Sequence, residues 1–288
     1  MAWVETLING AMLGGLYGLL GIGLALVFGT MRVVNIAHGE FMVLSAFFAV
    51  MLASLFPSVN PLLMLIPVVA ASFIVGYVYQ AAIVNRVAKS PDPLAPLLLT
   101  FGVSIILRNV MAEIFGADVR SIQVGELSRS SLEIFGLSIG VMPLLTLVLA
   151  VVLFVLLQWT LKRTRFGRIV RATADRWDIV RLFGVKPDRV YNYVMGASLA
   201  LGAVGGVLLA VRSSFTPFSG AERLLIAFEV VVLGGLGSFW GALVGGIALG
   251  VAQLVGLKFD SNAGLLYAHL LFFCMLLIRP AGLVSNQA

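Results

Sequence analysis

The sequence predicts an all-α fold, a polytopic transmembrane helical bundle, and three observations carry that prediction. Of 288 residues, 60% are hydrophobic and only 11% are charged, whereas an ordinary soluble domain is about 25% charged. Apolar runs recur along the whole chain with short polar breaks between them, and each is of the order of the roughly 20 residues that a helix needs to cross a hydrocarbon core of about 30 Å. The mean hydropathy is +1.07, more apolar surface than a soluble chain can hide.

The runs fall at about 7–29, 36–56, 61–85, 94–115, 141–161, 190–211, 224–257 and 263–279, which gives about eight membrane segments in one domain over 1–288. Seven read as single crossings. The run at 224–257 is too long for one crossing and contains Gly234-Gly235-Leu236-Gly237-Ser238, so it reads as a broken or re-entrant helix pair. Irregular backbone at membrane depth is tolerated only where it is buried in protein or lines a water-filled path.

The net charge of +6 and the pI near 9.8 do not describe a nucleic-acid face, because the charge is concentrated. Lys162, Arg163, Arg165, Arg168, Arg171, Arg176, Arg181, Lys186 and Arg189 make up nine of the nineteen Lys+Arg residues. Basic residues resist translocation, so this segment is expected in the cytoplasm. Arg86 and Lys89, beside Pro91-Asp92-Pro93, are expected on the same side. Counting crossings then puts the N-terminus and the stretches near 116–140 and 212–223 outside, in the periplasm, and the C-terminus in the cytoplasm. The first apolar run lacks a basic n-region and a small-residue cleavage site, so it reads as the first span rather than a cleaved signal.

The 31 glycines cluster at Gly10, Gly14, Gly15, Gly18, Gly21 and Gly23 and at Gly202, Gly205 and Gly206, spacings that let helices approach closely. Between the first run and residues 196–210 there is only a faint echo, too weak for an internal repeat.

Three stretches carry the residues of interest. Asn35, His38 and Glu40 interrupt two apolar runs; they can form an interhelical hydrogen-bonded cluster, cap the second helix or line a substrate path. Along 164–185, Ile169, Val170, Trp177, Val180 and Leu182 alternate with charges as in short amphipathic helices ended by Gly184. Exposed Trp177 and Phe183 there suit docking to a partner protein, with a solvated loop as the alternative. At Gly234, Gly235, Gly237 and Ser238, a half-helix N-terminus can favour an anionic group, or the glycines can serve packing alone.

Catalysis finds no support. No Gly-Lys dipeptide exists for a nucleotide-binding loop, His38 and His269 have no neighbours of a zinc site, and Gly102-Val103-Ser104-Ile105 lacks the last glycine of a serine-protease turn. Cys274, the single cysteine, lies in the last apolar run and reads as packing. No metal site and no cofactor are expected in this chain. Glu40, Glu113 and Glu229 are the acidic residues near membrane depth that an ion-coupled carrier or channel would have to use; Glu229 fits no motif.

On these stretches the chain resembles the permease subunits of ATP-binding-cassette importers for branched-chain amino acids, specifically the first of the two paired permeases. The marks are Asn35-Ile36-Ala37-His38-Gly39-Glu40, the segment 168–184, and Val232-Leu233-Gly234-Gly235-Leu236-Gly237-Ser238 with Gly241 and Gly245-Gly246. The Asn-x-Ala-His-Gly pattern is shared with urea or short-amide permeases. The resemblance implies a bacterial inner-membrane protein that pairs with a second permease, two cytoplasmic ATPase subunits holding ATP and Mg, and a periplasmic substrate-binding protein, with no nucleic acid involved. It implies that Arg168, Arg171, Ala172, Leu182 and Gly184 contact an ATPase; Trp177, apolar in a loop that should be polar, is expected to add an anchor there, and the breaks at 35–40 and 234–238 are expected to face the path because their backbone must meet protein or water. Val180 stands where the family pattern has a smaller alanine.

Overall fold

The computed structural model describes residues 2–87, 92, 94–128, 130–134 and 136–284. Lys89, Pro91 and Pro93, which entered the sidedness argument, lie outside the described residues. Helix α1 runs from Ala2–Met31 and α2 from His38–Leu55. A 3-10 turn, Pro61–Met64, leads into α3, Leu65–Tyr79, which continues through a π-helical turn, Gln80–Val84, into the short α4, Asn85–Val87. Then come α5, Leu94–Phe115, and α6, Val141–Arg163. The basic segment folds into α7, Arg165–Asp175, and α8, Trp177–Val180. The chain ends with α9, Pro187–Arg212, α10, Gly220–Gly234, α11, Phe239–Phe259, and α12, Gly264–Ile278.

Among the described residues, seven helical stretches are long and apolar enough to cross a membrane. Helices α10 and α12 have 15 residues each, about 22 Å at the helical rise, short of the hydrocarbon thickness. The anticipated break in 224–257 is present between Gly234 and Phe239. An all-α description needs one correction: β1, Ser131–Ile134, pairs antiparallel with β2, Leu137–Gly140, in register Ser131↔Gly140 and Ile134↔Leu137. Alternating Ser-Leu-Glu-Ile and Leu-Ser-Ile around Gly136, which holds φ +74°, is a hairpin pattern with the glycine where the turn needs a left-handed residue. The stretch 212–223 also departs from a solvated outer loop, since Phe215, Pro217, Gly220 and Arg223 are buried.

Helices α1 and α9 are buried along most of their length, while α5 and α6 are mostly exposed. The centre is therefore the α1/α9 crossing, flanked by α11 on α1 and by α3 on α9. Glycine makes these contacts backbone to backbone. A Cβ on Gly10 would lie 2.7 Å from the Val251 Cα and one on Gly246 2.6 Å from the Gly14 carbonyl oxygen; across α3/α9, one on Gly76 would lie 2.7 Å from the Met195 carbonyl oxygen. At this distance many atoms reach van der Waals contact, which replaces the hydrophobic drive that lipid removes.

The contacts repeat. Antiparallel α1 and α11 pack as antiparallel α9 and α3 do, these being the two most extensive pairings, and α1 and α9 themselves run antiparallel, with Gly23 on Ser198 and Leu19 on Gly205. Each long helix is followed by a short segment that turns back into the bundle and starts a new helix, α2 or α10, and the two starts meet at Gly39 and Gly220. Met31 and Arg212, the helix ends, are separated by the same number of residues as Gly39 and Gly220. The faint sequence echo is thus an inverted structural repeat, α1–α3 against α9–α11, maintained by small residues rather than by identical ones.

Gly246→Leu should destabilise the bundle by at least about 1–3 kcal/mol, the cost of forcing bulk into a packed contact, whereas Gly102→Leu, with nothing within 4 Å of its Cβ position, should change stability by less than about 0.5 kcal/mol. Apparent melting of the detergent-solubilised protein, followed by size-exclusion chromatography, checks the pair; equal melting would remove the close-packing argument.

Candidate functional site

The 32–40 segment is folded into the bundle. Asn35 is fully buried; its Oδ1 accepts from the Ala37 backbone N–H at 3.2 Å and the Tyr79 hydroxyl at 3.2 Å, and its Nδ2 donates to the Met195 sulfur at 3.6 Å. The Thr100 hydroxyl oxygen accepts from the Ile36 N–H at 3.2 Å. Asn35 thereby ties the turn before α2 to α3 and α9, while Ala37, at the α2 N-cap, offers no side-chain cap. His38 is also fully buried, its ring lodged between Gly23 of α1 and Gly202 of α9, and neither ring nitrogen has a hydrogen-bond partner. Glu40 forms an ion pair with Arg108 of α5, Nη2 to Oε1 at 2.8 Å.

Gly234, Gly235, Gly237 and Ser238 make the tight turn between antiparallel α10 and α11. Gly235 and Gly237 hold φ of +102° and +84°, a region that L side chains avoid. The Ser238 Oγ accepts from the Gly241 N–H at 3.0 Å and caps α11. The carbonyls that end α10 are met by the chain's own tail: Leu283 N–H donates to Leu233 O at 2.8 Å and Val284 N–H to Gly234 O at 3.1 Å. The two polar stretches lie on one side of the crossing, Gly237 packing on Gly29 of α1.

The basic segment has one face in and one face out. The Thr164 Oγ1 accepts from the Gly167 N–H at 3.0 Å and caps α7, and Gly167 lies on the last carbonyls of α6. Val170, Thr173 and Val180 are buried, while Arg168, Arg171, Ala172, Trp177, Leu182 and Gly184 are exposed. Leu182 and Phe183 are 84% and 80% exposed, an unusual position for adjacent large apolar side chains. Arg181 lies over the Trp177 ring at 4.8 Å, and Gly184 ends the segment at φ +77°. Arg171 lines a cleft of about 430 Å³ together with Gly237 and Ser238, which brings one of the coupling candidates beside two of the turn candidates, while Arg168, Ala172, Trp177, Leu182 and Gly184 do not line it.

Two partners were not singled out from sequence. Arg108 is a lone cation in the apolar run 94–115, a signal that the cost of charge at membrane depth makes readable. His269 of α12 meets Glu229 of α10, Nδ1 to Oε1 at 2.6 Å. Glu229, itself buried, is therefore one half of an interhelical pair whose histidine is partly exposed, while Glu113 is exposed. Among the described residues no group of three or more His, Cys, Asp or Glu side chains is placed to hold a metal ion.

His269→Ala should strand the Glu229 carboxyl in the bundle and destabilise it by about 3–5 kcal/mol, and the double change Glu229→Leu, His269→Leu should recover most of that loss. Melting of the three proteins checks this; equal losses in the single and double variants would show that the pair's partners matter less than their volume.

A family model described as "Branched-chain amino acid transport system / permease component" matches residues 6–279. The chain is 31% identical to the high-affinity branched-chain amino acid transport system permease protein BraD of Pseudomonas aeruginosa, over 99% of this chain and 96% of the relative. It is 30% identical to the permease protein LivH of Escherichia coli K12, again over 99% and 96%. With the probable branched-chain amino acid permease LivH of Methanocaldococcus jannaschii it shares 26% over 98% and 92%. No solved structure matches. With its bundle of long apolar helices and a family match that runs nearly end to end, the chain belongs to the branched-chain amino acid transport permease family.

Proposed function

We propose that this chain is the transmembrane permease of an ATP-binding-cassette importer in a bacterial inner membrane, forming half of the pathway for branched-chain or related hydrophobic amino acids. A second permease forms the other half, two cytoplasmic ATPases bind ATP and Mg and drive alternating access, and a periplasmic binding protein delivers substrate. The observation that carries this reading is the basic segment between α6 and α9. It exposes Trp177, Leu182 and Phe183 on the outside of a chain that belongs to a permease family. Large apolar side chains left in water mark an interaction surface, and in the proposed importer the ATPases are the partners this surface meets. The arginines around them orient the partner, while the desolvated aromatic and aliphatic groups supply most of the affinity.

In this reading α7 and α8 transmit motion inward. Gly167 rests on the end of α6, Val170 packs with Leu26, Leu161, Val190 and Val194, and Arg171 borders the cleft at Gly237 and Ser238. A push on the exposed face therefore meets α1, α6 and α9 together. The N-terminus is external and the C-terminus cytoplasmic, following the positive-inside rule.

Trp177→Ala with Leu182→Ala should weaken assembly with the ATPases by about 2 kcal/mol or more, while Arg163→Ala should change it by less than about 1 kcal/mol. Co-purification of the ATPases and coupled hydrolysis in proteoliposomes measure this; intact assembly in the double variant would remove the docking surface. A second measurement tests sidedness: in a Cys274→Ser background, Ser128→Cys should react with an impermeant thiol reagent in whole cells and Ala172→Cys should not, both positions being exposed. Reaction at 172 would reverse the orientation.

A further inference from the structure

Arg108 has a geometry that a merely structural ion pair does not need. It lies in α5, fourteen residues beyond Leu94 and so roughly 20 Å along the helix from that end. Its Nε and Nη2 both donate to the same oxygen, Glu40 Oε1, at 3.2 and 2.8 Å. Nη1 is left unspent, and the side chain is 32% exposed. On the other side, Glu40 Oε2 is buried and has no hydrogen-bond partner; the start of α10 covers it, the Gly220 backbone lying against the carboxylate where any larger residue would collide. A pair built only to join α2 to α5 would gain most from two parallel bonds, one to each carboxylate oxygen. This one keeps a cationic edge open and an anionic oxygen in reserve beneath a helix start.

An apolar cleft of about 290 Å³ runs along the next face of α2, lined by Phe41, Leu44, Phe48, Val75 and Phe115 among others. Phe41 follows Glu40 in sequence and Phe115 lies two turns beyond Arg108 on α5. A positive edge and a negative oxygen thus lie one residue along α2 and two turns along α5 from residues that line an apolar cleft.

We infer that Glu40 and Arg108 form a binding site for the charged head of an α-amino acid. The substrate carboxylate takes the open edge of Arg108, its ammonium takes Glu40 Oε2 once α10 withdraws from it, and its aliphatic side chain enters the cleft. The chemistry favours a zwitterion. Removing an ammonium and a carboxylate from water is costly unless each meets an opposite charge, and the pair offers one of each; a neutral amide or urea has use for neither. The site rests on the reading of this chain as an amino-acid permease and assigns the residues that reading leaves open.

The test uses the assembled importer in liposomes, with both permeases, the ATPases and the binding protein, and radiolabelled leucine as probe. Glu40→Gln and Arg108→Gln should each lower uptake per assembled complex roughly 10- to 100-fold, the loss expected for one charged hydrogen-bond partner. The neutral double variant, which keeps an amide-to-amide contact between α2 and α5, should not restore it. Arg108→Lys, which keeps the charge but not the fork, should raise KM for uptake more than it lowers kcat. Wild-type uptake in the double variant would make the pair a helix clamp and overturn the inference, as would unchanged uptake in both single variants or failure of the double variant to assemble. A wild-type importer that takes up no amino acid at all would overturn the functional reading itself, whereas normal wild-type uptake with indifferent variants overturns the site alone.

Discussion

Backbone contact between α1 and its neighbours is the constraint from which the rest of the structure follows. Helix α1 touches α11 along Gly10 and Gly14 and meets α9 at Gly23. Helices this close leave no room for ordinary side chains between them, so whatever sits at the crossing must be chosen to fit. The His38 ring fits because Gly23 and Gly202 face it; a Cβ on either would lie within about 3.0 Å of its Cε1. Likewise α2 and α10 begin head to head because Gly39 and Gly220 are bare. Small residues therefore do more than save space: they set where two helices start inside the bundle, and that start is what places Glu40 against Gly220 and within reach of Arg108.

The polar atoms at this crossing are not at their electrostatic optimum. The buried side-chain atoms without a partner among the described residues are both ring nitrogens of His38, Glu40 Oε2 and Gln80 Oε1. They belong to the first turn of α2 and to the π-helical turn after α3, on either side of Asn35. Each unmet group costs about 1–3 kcal/mol, and the cost is concentrated around one segment. In the importer reading proposed above, a second arrangement of the bundle lets other protein groups, water or ligand meet these atoms. An alternating pathway of the kind proposed above needs two such arrangements, and the inverted repeat offers α2 and α10 as two equivalent places for that proposed opening.

Much of the fold was legible because bilayer physics is restrictive. Run length marked the long helices, the glycine cluster at 234–238 marked the turn between α10 and α11, and charge with exposed aromatic residues marked the basic segment. What escaped was of two kinds. The 131–140 hairpin was written in a two-residue alternation that apolar run lengths obscure, and the inverted repeat left only a faint echo because Gly14 and Gly246 on one side and Gly76 and Met195 on the other do the same work with different residues. At the site, Asn35, His38 and Glu40 were conspicuous as polar residues between apolar runs. Their partners were not, because Tyr79, Arg108 and Met195 come from helices that only the fold brings near. Arg108 and His269 carried a readable signal, polarity inside an apolar run, but their pairing with Glu40 and Glu229 did not.

The basic segment and the residues at the end of α1 and after α3 line one cavity. A cavity of about 500 Å³ is lined by Trp177 and Arg181 on one side and by Met31, Val33, Gln80 and Asn85 on the other. Gln80 donates to Asn85 at 2.9 Å and Asn85 to Asn192 of α9 at 2.8 Å, and Tyr79, the residue before the π-helical turn, holds Asn35. A π-helical turn carries an extra residue per turn and is a point at which a helix can shift register cheaply. Trp177 forms one wall of this cavity and Gln80 of the π-helical turn another, and Tyr79 just before that turn holds the residue that anchors the entry to α2. Since α2 begins three residues after Asn35 and carries Glu40 in its first turn, the coupling proposed above has a short route from the exposed segment to the ion pair, through covalent neighbours and the Tyr79–Asn35 hydrogen bond, that requires no rigid rotation of the whole bundle.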